Sequence, residues 1–224
     1  RVRVREGLLR VNGRTAPFNL SLRRFDGEIR YAKEGPAYKI RVAYENGGVF
    51  WERRDIPHDL TASLDLSARG VEIEFFKFRY RSSLLTGGGS IRGWDAPVLL
   101  VHAAGLCDAS DLTLAHPSIR DGHGTISVTA DIRNDRAGLS ARGAISIRSG
   151  GYRAMRLHDL TGRFEVKDDV LLLRAVSGGI ARGGFDLDAD IQLREANPAP
   201  NRVRVATRGV PVVEAGRLLD LPLL

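Results

Sequence analysis

The chain has 224 residues, 43% hydrophobic and 27% charged, a balance that excludes a disordered tail and suits one large all-β domain or two small ones. Its net charge of +7 is spread over 34 basic and 27 acidic residues with no basic block, which favours a solvated charged face over a nucleic-acid surface. Cys107 is the only cysteine, so there is no internal disulfide, and the longest apolar run, Ala96 to Cys107, contains Pro97 and His102 and falls short of the ~20 residues a spanning helix needs.

The chain opens in mid-pattern on "RVRV" and stops on "LDLPLL", which reads as a piece cut from a longer protein. From there, alternation with period two dominates. "YKIRVAY" puts Tyr38, Ile40, Val42 and Tyr44 on one face and Lys39 and Arg41 on the other. "LTASLDL" continues it with Leu60, Ala62, Leu64 and Leu66. "VEIEF" adds Val71, Ile73 and Phe75, and "KFRYR" adds Phe78 and Tyr80. After a "GLCDASDLTL" stretch that suits a short helical turn, "TISVTADI" resumes with Ile126, Val128, Ala130 and Ile132. "FDLDADIQL" follows with Phe185, Leu187, Ala189, Ile191 and Leu193. Each segment predicts a strand with one dry and one charged face. Turns are expected at "VNGR", "FDGE", "ENGG", "SARG", "NDRAG", "RSGG" and "VKDD". A second short helix is expected in "PVVEAGRLLDL". The count is ~15 short strands, mostly joined as hairpins.

The prediction is therefore an all-β chain forming one elongated segment over residues 1–224. It would be a curved antiparallel sheet groove of serial short strands with one or two short helices. A sheet with one apolar face must shelter that face. With little helix and many short connections, a trough lined by Leu, Val, Ile and Ala is the expected outcome. The expected inward rows are Ile40, Val42, Leu64, Leu66, Ile73, Phe75 and Phe78, then Val128, Ile132, Ile145 and Ile147, then Phe164, Val166, Leu171, Leu173, Phe185 and Leu187. "HDLT" occurs at His58 and again at His158, and each copy is expected to start a strand and to lead towards a glycine-rich stretch. The distance from His to the last glycine pair differs by five residues, so the repeat, about 58–105 and 158–193, is loose; it suggests a serial array.

The glycine-rich stretches carry no phosphate signature. "GGIARGG" lacks the Lys-Ser/Thr end of a P-loop, and its spacing is not that of a dinucleotide turn. Gly88, Gly89, Gly178, Gly179, Gly183 and Gly184 are expected instead to let the sheet bend or to admit a close neighbour. The five histidines, His58, His102, His116, His123 and His158, lack zinc-type spacing, although His116 and His123 flank Asp121 in a Pro/Gly-rich loop. Cys107 with His102 or His116 has no activating context for a nucleophile. Asp186, Asp188 and Asp190 read as a solvated outer row. No catalytic residue, metal or cofactor is expected. A carbohydrate-acting β-solenoid would need clustered carboxylates and exposed aromatics on one face, which the pattern lacks.

Three stretches resemble the AsmA-like superfamily, and within it TamB-type translocation and assembly proteins. They are Leu60 to Gly105, with an "SxL" step, a glycine and a "P-x-L-x-L" strand; Leu160 to Leu193, with a "GG" step between strands; and Arg202 to Leu223, similar to a closing strand and short helix. The resemblance implies a half-pipe in the periplasm of a diderm bacterium, anchored in the inner membrane by a segment outside this chain. Its implied cargo is phospholipid acyl chains passing between inner and outer membranes, and its implied partner is a BamA-like outer-membrane barrel. The alternative it implies is a non-catalytic scaffold that pairs its sheet edge with such a partner or its client. No nucleic-acid partner is expected.

Overall fold

The computed structural model describes residues 1–12, 18–32, 37–51, 54–114, 121–152, 155–193, 201–211 and 213. Among them lie thirteen antiparallel strands. They are β1 (Val2–Asn12), β2 (Phe18–Ala32), β3 (Ala37–Trp51), β4 (Arg54–Ser67), β5 (Gly70–Tyr80), β6 (Ser83–Arg92), β7 (Val98–Asp108), β8 (Gly122–Asp135), β9 (Gly138–Tyr152), β10 (Met155–Lys167), β11 (Val170–Ile180), β12 (Gly183–Gln192) and β13 (Arg202–Arg208). They form one sheet whose strand order follows chain order and does not close on itself. The all-β, serial, antiparallel architecture expected from the alternation is therefore the one the chain adopts. The chain divides into two compact units, Arg1–His102 and Ala103–Leu224.

The strands are longer than expected. β2, β3 and β9 each run 15 residues, against a usual five or six. Three expected turns lie inside them: "FDGE" in β2, "ENGG" in β3 and "RSGG" in β9. Turn-type residues serve bulges as well as turns, because both need local backbone outside the extended region. Arg24 and Asn46 take left-handed backbone, φ 49 and 53, where the β2–β3 and β3–β4 registers slip. The turns at 68–69, 136–137 and 168–169 form where expected, while "VNGR" lies largely outside the described residues. Both "HDLT" segments sit within β4 and β10 rather than starting a strand.

The expected turn near Cys107 is a short 3-10 helix, Ala109–Leu114. The second expected helix lies outside the described residues except for Pro211 and Val213.

The repeat has a tighter form than the glycines suggested. In the first unit β5 pairs β6 through Ile73↔Gly89, slips by one residue, then continues Phe76↔Gly87 to Tyr80↔Ser83. In the second unit β11 pairs β12 through Leu173↔Ala189, slips, then continues Val176↔Leu187 to Ile180↔Gly183. Every partner is 100 residues on (73 to 173, 89 to 189), and the slip falls at the same place. The following two-residue turns both place a non-glycine in left-handed backbone, Arg81 at φ 49 and Ala181 at φ 52. The five-residue discrepancy came from matching glycines that occupy different places in the repeat. Gly87–Gly89 corresponds to Leu187–Ala189, and Gly178–Gly179 to Phe78–Arg79.

In the second unit the apolar side chains of β10 to β12 form a buried cluster: Met155, Leu160, Val176, Ile180, Phe185, Leu187, Ala189 and Ile191. Ile145, Ile147, Leu171, Leu173, Val203 and Val205 pack round it. Burying each of the larger ones, from Val to Phe, stabilises the fold by ~1.5–3 kcal/mol. In the first unit burial concentrates at one end of the strands, on Leu22, Tyr44, His58, Ala62 and Tyr80.

Candidate functional site

Residues that face each other across an antiparallel ladder share a sheet face, so the registers show whether the expected rows are continuous. In the first unit one row runs Val2–Ile29–Ile40–Leu64–Ile73–Gly89 across six strands. The next runs Val4–Gly27–Val42–Ala62–Phe76–Gly87, and another Tyr31–Tyr38–Leu66–Val71–Ile91. In the second unit Val128–Ile145–Gly162 and Val176–Leu187–Val205 form one row, with Gly162 against Val176. Beside it runs Ala130–Gly143–Phe164–Leu173–Ala189–Val203, and then Ile132–Ala141–Val166–Leu171–Ile191. Ile126, Ile147 and Leu160 make a further short row. The opposite faces carry Lys39, Asp65 and Glu72, or Asp131 and Arg142.

Phe75 is a correction. Strict alternation puts it with Val71 and Ile73, but β5 bulges after Ile73, so Phe75 pairs with Ser63 and Phe76 with Ala62. The bulge turns Phe75 to the charged face, where it is 42% exposed, and turns Phe76 to the apolar face. A one-residue slip exchanges the two faces of a strand. The same happens in β11, where Ala175 takes φ 49 and Val176, not Ala175, joins the apolar row. The signal was legible in the first case, because two bulky apolar residues in succession interrupt an alternating run. Ile40, Val42, Leu64, Leu66, Ile73 and Phe78 stand half-buried on the apolar face of the first unit. In the second unit Val128, Ile132, Ile145, Ile147, Phe164, Val166, Leu171 and Leu173 are half-buried, and Phe185 and Leu187 are buried.

The glycines sit where a neighbour takes the place of a Cβ. A Cβ on Gly143 would lie 2.8 Å from the Phe164 ring, one on Gly87 2.8 Å from the Phe76 ring, and one on Gly178 3.2 Å from the Phe185 ring. An aromatic laid across a cross-strand glycine restores the packing that the glycine lacks. Gly179 lies under the His158 ring, Gly88 against the Ile73 carbonyl, Gly89 against the Leu100 carbonyl, and Gly183 against Arg208 and Val210. Gly184 has room for a Cβ.

The bulges carry a device absent from the expectations. The bulge residue's N–H leaves the ladder and needs another acceptor. The Glu6 N–H donates to Asp26 Oδ1 at 3.0 Å, the Asn46 N–H to Asp59 Oδ1 at 2.8 Å, and the Ala175 N–H to Asp188 Oδ1 at 2.9 Å. In each case an aspartate on the next strand holds a residue with φ near 50°. The outer aspartate row of β12 is thus engaged rather than merely solvated: Asp186 accepts from Arg208 at 2.9 Å and Asp190 from Arg174 at 2.6 Å. The two "HDLT" aspartates differ, since Asp59 latches a bulge while Asp159 is itself in left-handed backbone at φ 51.

His58 is buried. Its Nε2 lies 2.8 Å from Tyr44 Oη and its Nδ1 2.9 Å from the Ile56 carbonyl. The carbonyl can only accept, so Nδ1 carries the proton and Nε2 accepts from the tyrosine. The ring packs on Tyr44 and Phe78 at 5.4 Å. Burial, with the Asp59 charge added, pushes the Tyr44 phenol up to about 12. His158, its sequence counterpart, is exposed and stands 3.3 Å from Asp159.

Burial and the Asp111 charge raise the Cys107 thiol, opposite to what a nucleophile needs. His102 is five residues away on the same strand, ~16 Å at the usual strand rise. Among the described residues no three His, Cys, Asp or Glu side chains converge as a metal site, and His116 lies outside them. No described helix is long and apolar enough to cross a membrane. Compared with known proteins, the chain matches no family model, no curated protein and no solved structure.

Proposed function

We propose that this chain is a lipid-handling segment of an AsmA/TamB-like cell-envelope protein, working in the periplasm of a diderm bacterium. Its apolar sheet face takes phospholipid acyl chains on their way between inner and outer membranes, and no covalent chemistry is involved. The observation that supports this is the continuity of the apolar rows, which cross six strands in register while the opposite face stays charged. Among the described residues, substantial strand-to-strand contacts run between strands adjacent in sequence, and the strands belong to a single sheet. An acyl chain on such a face gains ~0.8 kcal/mol per buried CH₂, while its headgroup stays in water. Mass spectrometry of solvent extracts from the purified, folded chain is expected to find bound phospholipid. A preparation with a cooperative melt and no lipid, even after incubation with phospholipid vesicles, would end this reading.

A further inference from the structure

The charged face of the first unit holds a row whose charges are not balanced along it. Arg3, Glu28, Arg41, Ser63 and Phe75 stand opposite one another across the strands β1 to β5. The Glu28 side chain is only 15% exposed and is already engaged: Arg1 Nε lies 2.9 Å from its carboxylate, and Arg30 Nε also contacts it. Arg3 and Arg41, its neighbours in the row, are exposed and have no ion-pair partner among the described residues. The other carboxylates nearby are engaged as well. Asp26 accepts from the Glu6 N–H at 3.0 Å, and Lys39 stands 3.7 Å from both Asp65 and Glu74. The second unit arranges its charged row differently, with Arg142 between Asp131 and Glu165 and 3.8 Å from the former. A row that alternates in sign is balanced by itself, whereas two guanidiniums flanking an engaged carboxylate attract an anion.

We propose that Arg3 and Arg41 bind a phosphate monoester whose organic part lies on Phe75. The site is on the face opposite the apolar rows and does not depend on the lipid-handling reading above. A cavity of about 420 Å³ opens there, lined by Arg3, Asp26, Glu28, Arg41, Ser63 and Phe75, a volume within the range of small-ligand sites. The two arginines sit on either side of β2, ~10 Å apart at the backbone, a gap that two extended side chains close over Glu28. Each guanidinium presents a planar fork of donors that matches two acceptor oxygens. A carboxylate, with two oxygens and one charge, satisfies one such fork. A phosphate monoester carries ~−1.5 to −2 charges and three terminal oxygens, which satisfies both. Phe75 supplies the wall for the rest of the ligand. The β5 bulge turns its ring to this face, where it is 42% exposed, two strand spacings or ~10 Å beyond Arg41. Ser63, the residue between them, is short and donates to Glu74 at 2.8 Å. An aromatic ring at that distance takes the flat or apolar body of an ester whose phosphate is held by the arginines.

The test is isothermal titration calorimetry of the full chain at low ionic strength. The probes are inorganic phosphate, phenyl phosphate, and phosphatidylcholine vesicles with and without phosphatidic acid. One saturable site is expected, weakened about tenfold by Arg41→Gln and by Arg3→Gln, at an unchanged melting temperature because neither side chain is ion-paired. Arg142→Gln in the second unit should change nothing. Phe75→Ser should weaken phenyl phosphate several-fold and leave inorganic phosphate as it was; equal affinity of this variant and the wild type for phenyl phosphate would remove Phe75 from the site. Binding of phenyl phosphate marks a free ester as sufficient, binding of phosphatidic acid vesicles alone marks a lipid headgroup, and either supports the site. Absence of binding to every phosphate probe, or binding that Arg41→Gln and Arg3→Gln leave intact, overturns it.

Discussion

Tyr44 and His58 show how one residue's environment reaches the stability of its unit. The Tyr44 hydroxyl donates to an imidazole whose other nitrogen is committed to the Ile56 carbonyl, and burial, with the Asp59 charge added, disfavours the phenolate and pushes the phenol up to about 12. A pKa raised by folding means that the protonated form is favoured in the native state. The corresponding stability is fully present below pH 10 and is lost as pH rises through about 12. Denaturation midpoints measured between pH 9 and pH 12 should fall in the wild type. Tyr44→Phe should flatten that part of the profile while costing ~1 kcal/mol at neutral pH from the lost hydrogen bond. An identical alkaline slope in both proteins would place the titration elsewhere. Phe75 makes the complementary point, since a residue of ideal type for the interior stands exposed because one bulge precedes it.

At the scale of the element, the bulges are what allow strands of up to 15 residues to continue through Gly- and Asn-containing segments that read as turns. A bulge removes one N–H from the ladder, and Asp26, Asp59 and Asp188 each supply the missing acceptor. The carboxylates are exposed, so the contribution is modest, ~1 kcal/mol for a solvent-accessible charged hydrogen bond. Asp188→Ala should lower the urea midpoint by about that amount, while Asp188→Asn, which keeps an oxygen at the same place, should lie much closer to the wild type. Equal losses in the two variants would mean that the aspartate acts through its charge near Arg174 and Arg204 and not as a latch on Ala175.

On the scale of the whole molecule, the thirteen strands of the described residues follow one another in chain order, each hydrogen-bonded to its sequence neighbours. Such an array has local contacts and divisible stability. Its two units repeat the β4–β6 arrangement 100 residues later as β10–β12, yet they bury their apolar faces unequally. Hydrogen exchange should therefore be slowest in β11 and β12, around Ile180 and Ala189, and markedly faster in β2 and β3 near Tyr31 and Tyr38. Uniform protection across both units would contradict the difference in packing.

Period-two alternation alone determined that this chain is all-β, and it determined which residue types share a face within each strand, because side chains in extended backbone must alternate. It marked the hairpin turns at Ala68–Arg69 and Asp168–Asp169. It could not tell a bulge from a turn, since both use the same small and polar residues, and the bulge in β5 put Phe75 on the face opposite to the expected one. Tertiary structure decided that Phe76 and Val176 join the apolar rows, that aspartates on adjacent strands satisfy the freed amides, and that the true repeat relates Gly87–Gly89 to Leu187–Ala189. It also decided which apolar face is filled and which is open. Burial depends on neighbours brought together by register, and register is a relation between strands that no single strand's pattern contains.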